Sequence, residues 1–174
     1  MRTEDIVQKR MADNQRQNTT KLIVIKDWAD RGKSLTIWMV LMELIRQGAN
    51  VNWCKYTFGG KNMKIPAQIP PYQNRWDFVA DLTWKGKHIA IVSHGDDVND
   101  VDRELQNILP TKPNYIICAA NIRHWGASVW NMIEKKYTNT SFERLCFWTE
   151  YAANKIDEQL VKRPTVEAIV KYIA

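Results

Sequence analysis

Two rhythms of apolar and polar residues alternate along the chain. Leu22 to Ile25 is a continuous apolar, β-branched run, the pattern of a strand buried on both faces. From about Gly32 to Gln47 apolar residues recur on almost every side of a helix: Leu35, Ile37, Trp38, Met39, Val40, Leu41, Met42, Leu44 and Ile45. That distribution predicts a helix packed on a sheet and partly covered elsewhere, with Gly48 as its stop. Val51 to Phe58 reads as a second strand. Asp77 to Trp84 alternates and turns through Lys85-Gly86, and His88 to Ser93 continues as a more uniformly apolar strand. This pair predicts an antiparallel hairpin. Further helices are expected over 98–109 and 125–136, and strands over 115–120 and 142–148. Helices over 150–162 and 165–173 are expected to break at Pro164. Residues 4–17 suit a short peripheral helix.

Strands that alternate with helices predict an α/β domain, three-layer α/β/α with a mainly parallel sheet. The hairpin would place one antiparallel strand at an edge or in an insertion. No internal repeat or linker divides the chain, so residues 21–174 read as a single domain preceded by an arm over 1–20. The segment Gly59–Asn74, with Gly59-Gly60 and Pro66, Pro70 and Pro71, is a long connection, and such lengths are uncommon without a role.

Composition narrows the classes. A formal charge of +6 tilts the chain toward anionic partners, but its Lys and Arg are interleaved with acids. The three cysteines, Cys54, Cys118 and Cys146, are widely spaced in apolar runs. That argues against a zinc site or a disulfide framework and predicts buried free thiols. Of the eight tryptophans, Trp38, Trp84 and Trp148 fall inside elements and predict core packing, whereas Trp28 and Trp125 fall in loops. Met1 to Asn18 lacks an apolar signal-peptide core and no run has membrane-span length, so a cytoplasmic protein without membrane contact is expected.

The most informative chemistry lies between the first strand and the first long helix, where the loop ends in Gly32-Lys33-Ser34. Helix-start amides offer a concave anion site, a lysine adds a charge, and a serine hydroxyl can hold Mg²⁺. On these residues the chain resembles the P-loop NTPases. The resemblance implies a P-loop NTPase-like fold and a nucleotide site built from Asp30, Arg31, Gly32, Lys33, Ser34 and Leu35. In it Lys33 reaches the β- and γ-phosphates, Ser34 is a Mg²⁺ ligand, and ATP or GTP is the ligand. Asp27 stands where the family has its first glycine. Two acids in an anion loop oppose binding: a like-charge contact at about 4 Å costs on the order of 4 kcal/mol at an effective dielectric near 20. Asp30 could also cap the helix with its own carboxylate. Thr36 could add a second hydroxyl.

In the same family an acid that orients Mg²⁺ or water follows another buried strand. Here Ile89 to Val92 leads into Ser93-His94-Gly95-Asp96-Asp97. Strand carboxyl ends line the ligand crevice in doubly wound sheets, which would bring Ser93, His94 and Asp96 near Lys33. Asp96 is thus the candidate second Mg²⁺ ligand and, with Lys33, the candidate catalytic group. The plainer alternative is a polar turn with Asp97 capping a helix that starts near Val98. At a third strand end Asn121, Arg123 and Trp125 could bond, pair and stack with a nucleotide, or Arg123 could lie on the surface and Trp125 cover the sheet edge. His88, His94 and His124 form no metal pattern, and a G-x-S-x-G elbow is absent. Two functions stay in competition. One is a Mg²⁺-dependent NTP-hydrolysing or phosphoryl-transferring enzyme, in which Gly59–Asn74 acts as a lid or acceptor-binding loop. The other is an inactive module of the same fold that binds protein or nucleic acid.

Overall fold

The computed structural model describes residues 19–28, 31–122, 128–137, 142–149 and 158–174. The apolar run becomes strand β1 (Thr20–Asp27), which pairs in parallel with β5 (Tyr115–Asn121) on one side and β6 (Phe142–Trp148) on the other. With β2 (Asn50–Tyr56), β3 (Phe78–Trp84) and β4 (Lys87–Val92) these form a six-stranded sheet in the order β2-β3-β4-β5-β1-β6. Three pairings are parallel and two antiparallel, so the sheet is mixed rather than mainly parallel. The hairpin itself is as expected, but its reversed strand β3 is internal, between β4 and β2, and not at an edge. The turn explains the pairing: Lys85 and Gly86 both have positive φ, 50° and 72°, which matches the twist of a two-residue hairpin. β2 then adds to the free edge of β3 and leaves most of its own side chains in solvent.

Alternate residues of the strands feed two hydrophobic cores. Ile23, Ile25, Ile117 and Ala119 pack with helices α1 (Lys33–Arg46) and α4 (Glu158–Ile173). Leu22, Val24, Ile116 and Cys118 pack with α2 (Val98–Ile108) and α3 (Val129–Lys136). The near-continuous apolarity of α1 follows from its position, because it shares its core with the sheet and with Val166, Ile169, Val170 and Ile173 of α4. Trp38 of α1 meets Phe78 edge-on, with ring centroids 4.7 Å apart.

Three expectations about this framework change. Pro164 does not break the C-terminal helix, which runs through it from Glu158 to Ile173. Proline removes one backbone donor and crowds the carbonyl of Leu160, but Pro164 and Leu160 are both exposed, so that carbonyl can turn to water. The packing of the opposite face outweighs the local penalty. Trp148 is 54% exposed, because β6 is the last strand of the sheet. Cys146 on the same strand is likewise exposed, whereas Cys54 and Cys118 are buried and burial pushes each thiol up to about 12. Residues 1–18 of the expected arm, with the helix over 4–17, lie outside the described residues, and Thr20, expected in the arm, opens β1.

Candidate functional site

β1 ends at Asp27 and the chain re-enters regular structure at Gly32, the N-cap of α1. Gly32 has φ 87° and ψ 26°, a left-handed conformation that costs glycine little. A second reason for glycine is space: an added Cβ would lie 2.5 Å from Cε and 2.7 Å from Nζ of Lys162. Two lysines tie the loop down. Nζ of Lys33 donates to the Trp28 carbonyl at 2.7 Å, and Nζ of Lys162, from α4, donates to the Arg31 carbonyl at 3.2 Å. Both side chains are buried. The helix start leaves its first amides without intrahelical acceptors, and no side chain caps α1 among the described residues. Asp30 lies outside those residues.

Asp27 does not enter the loop's concave side. Its carboxylate accepts from the Trp28 amide at 2.7 Å and from the Thr149 hydroxyl at 2.6 Å, beyond the end of β6. The acid in place of a glycine therefore joins the ends of β1 and β6. Thr36 is also committed, donating back to the Gly32 carbonyl at 3.1 Å.

The loop forms one wall of a cavity of about 520 Å³, within the size range of small-molecule sites. Gly32, Lys33, Ser34 and Leu35 line that wall. Ser93, Gly95 and Asp96, past the end of β4, and Ala119 of β5 form the floor. Tyr72, Gln73, Arg75 and Asp77, which lead into β3, and Glu158 of α4 also line it. Gly95 permits the floor's tight packing: a Cβ there would lie 2.5 Å from the Ala119 Cβ and 2.8 Å from its carbonyl carbon.

Asp77 is the most firmly held acid of this cavity. Its Oδ1 accepts from the Ser93 hydroxyl at 3.1 Å, and its Oδ2 meets Nδ1 of His94 at 3.0 Å. Ser93 accepts in turn from the Phe78 amide at 2.7 Å. The Asp77 contact holds the His94 pKa above its ordinary value against the opposing effect of burial, and the charges of Asp77, Asp96 and Asp100 add to it. The carboxylate stands between the hydroxyl and the imidazole, so the trio is not a nucleophilic triad, in which the imidazole bonds the hydroxyl. Arg75 donates from Nε to the Pro70 carbonyl at 3.2 Å. Burial lowers its pKa, and Glu158 partly restores it.

The structure thus brings together Gly32, Lys33, Ser34, Leu35, Ser93 and Asp96, as expected from strand carboxyl ends. His94 stands behind Asp77 and does not line the cavity. Nor does Arg31, whose carbonyl serves Lys162. Asp97 is the N-cap of α2, accepting from the Asp100 amide. Asn121 is fully buried and structural: its side chain donates to the Asp96 carbonyl at 3.1 Å and accepts from the Val129 amide at 3.2 Å. Arg123 and Trp125 lie outside the described residues. Sequence reasoning missed Arg75, Asp77, Glu158 and Lys162. The cluster Arg75-Trp76-Asp77 just before an apolar strand, and the four-residue spacing of Glu158 and Lys162, were the available signals.

Among the described residues no three His, Cys, Asp or Glu side chains group as a metal site. Ser34, Asp77 and Asp96 bring oxygen-bearing side chains to the lining of the cavity. Among the described residues no helix is long and apolar enough to cross a membrane. Comparison with known protein families, characterised proteins and solved structures finds no match to this chain.

Proposed function

We propose that this chain is a P-loop NTPase-like protein of three-layer α/β/α build that binds a nucleoside triphosphate with Mg²⁺ in the 520 Å³ cavity and hydrolyses it or transfers its terminal phosphoryl group. One observation carries the reading: the strand–loop–helix residues Gly32 to Leu35 and the acid Asp96 after β4 line the same cavity. The phosphates lie on the first amides of α1, where backbone dipoles and Lys33 neutralise charge. Ser34 and Asp96 would hold Mg²⁺, which would supply neutralisation of phosphate charge when bound. The capture of the Asp27 carboxylate by Thr149 and the Trp28 amide supports this reading, because it keeps that carboxylate from competing with phosphate.

Thermal unfolding with ATP or GTP, with and without Mg²⁺, tests the proposal. A nucleotide at about 100 times its Kd should add roughly 2.7 kcal/mol of stability. Lys33→Ala should abolish that increment whatever its own stability. Equal melting temperatures with and without every nucleotide would refute it.

The non-catalytic alternative has its own support. On the α3 side of β6, Lys26 lies 4.0 Å from the Trp130 ring centroid and 5.0 Å from that of Trp148, and Arg144 lies 5.7 Å from Trp130. Trp148 is exposed and Trp130 half-buried, and accessible aromatics beside cations suit nucleic acid. That reading predicts retention of labelled single-stranded DNA or RNA that weakens steeply with salt, and no retention at low salt would dismiss it.

A further inference from the structure

The cavity that holds the loop is also lined by an arginine and a glutamate, Arg75 and Glu158. Arg75 lines the cavity, and its one hydrogen bond among the described residues runs from Nε to the Pro70 carbonyl. Among those residues its Nη1 and Nη2 groups make none, and the guanidinium carbon lies 6.0 Å from the Tyr72 ring centroid; a partly buried arginine fork gains most from a bidentate oxyanion. Glu158 fixes where such an anion would sit. Its Oε1 lies 3.2 Å from the position of a Cβ on Gly32, and its charge is felt by Arg75. One carboxylate therefore stands beside the start of the loop helix and within reach of the charge of Arg75.

We propose that Arg75 binds the terminal phosphate of a nucleoside triphosphate seated on Gly32 to Leu35, so that the site distinguishes triphosphates from diphosphates. This rests on the nucleotide-binding reading above and adds a specificity-determining residue to it. Lys33 and the α1 amides hold the inner phosphates, and Arg75, which lines the same cavity, takes the outermost one. Glu158 is the counter-ion that the terminal phosphate displaces. It lies in the first described turn of α4 and is only partly buried, which gives it room to swing away.

Isothermal titration of the full chain with Mg-ATP, Mg-ADP and Mg-tripolyphosphate tests this. The wild type should bind ATP and tripolyphosphate more tightly than ADP. Arg75→Ala should weaken both triphosphate ligands by about 10- to 100-fold, the loss expected for a charge-assisted pair of bonds, and change ADP by less than about threefold. Arg75→Lys, which keeps the charge without the fork, should recover only part of the loss and serves if the alanine variant fails to fold. Glu158→Gln should tighten ATP more than ADP. Equal losses for ATP and ADP in Arg75→Ala, or no loss for either, would overturn the role of Arg75 while leaving nucleotide binding intact. Failure of the wild type to bind any of the three would instead remove the reading beneath it.

Discussion

Gly32→Ala probes the loop at the point where two constraints meet. The first is backbone: at φ 87° an L-residue sits in the left-handed region, at a cost of roughly 1–2 kcal/mol. The second is the Lys162 side chain, whose Cε and Nζ would stand 2.5 and 2.7 Å from the new Cβ. The end of a lysine can move in principle, but this one is 1% exposed. Moving it stretches a 3.2 Å bond to the Arg31 carbonyl. A hydrogen bond this long is near the weak end for charged donors, about 1 kcal/mol. The sum is about 2–3 kcal/mol, or a melting temperature lower by about 4–12 °C for a chain of this size. Urea unfolding of wild type, Gly32→Ala, Lys162→Ala and the double variant measures both terms. With Lys162 truncated, only the backbone term should remain, so the cycle should show a coupling of about 1 kcal/mol. A Gly32→Ala cost under about 0.5 kcal/mol would refute the left-handed assignment. Strict additivity with Lys162→Ala would refute the close approach of the two side chains.

Gly95→Ala should destabilise by at least about 1–3 kcal/mol in urea unfolding, because the new methyl meets Ala119 side chain and backbone at 2.5 and 2.8 Å; a neutral result would contradict that packing. The raised pKa of His94, set first by its bond to Asp77, means that the charged ring stabilises the fold fully below its ordinary value of about 6.5. That contribution is lost as pH rises through the higher folded value. Wild-type stability should therefore fall above about pH 6.5, and His94→Asn should flatten the profile, as denaturant titrations across pH would show. Glu43 bonds Arg46 at 2.6 and 2.9 Å and Gln47 at 2.8 Å, and the arginine holds its carboxyl at about 2, against 4.5 ordinarily. Its contribution is present above pH 4.5 and lost as pH falls through 2. Because Arg46 is largely exposed, Glu43→Gln should cost only on the order of 1 kcal/mol at neutral pH, with the difference shrinking toward pH 2 in acid unfolding curves.

Elements carried by local pattern were legible in the sequence. The run Leu22–Ile25, the apolar helix after Gly32 and the Lys85-Gly86 hairpin all appear where period and turn chemistry place them. Of Ser93, His94 and Asp96, all expected near Lys33, Ser93 and Asp96 line its cavity, because strand carboxyl ends share one rim of the sheet, and His94 does not. What was not legible depends on long-range pairing. The internal position of β3 is set by β2 joining its free edge, which the alternation of β3 does not encode. The continuity of α4 through Pro164 is set by burial against α1 on the other face. Arg75 and Asp77 escaped notice because they sit in a loop without a motif, and they join Lys33 around one cavity only when the sheet is assembled. Asp27 looked like a charge in an anion loop because sequence could not show Thr149 waiting for it across 122 residues.

The cradle at the start of α1 can be observed directly by amide NMR. Mg-ATP added to the ¹⁵N-labelled full chain should produce saturable shifts centred on Gly32, Lys33, Ser34 and Leu35, with a second set at Ser93 to Asp96, and Lys33→Ala should weaken both together. No saturable shift at these amides, or shifts confined to the Lys26, Trp130 and Trp148 surface, would contradict the account and place any anion binding elsewhere.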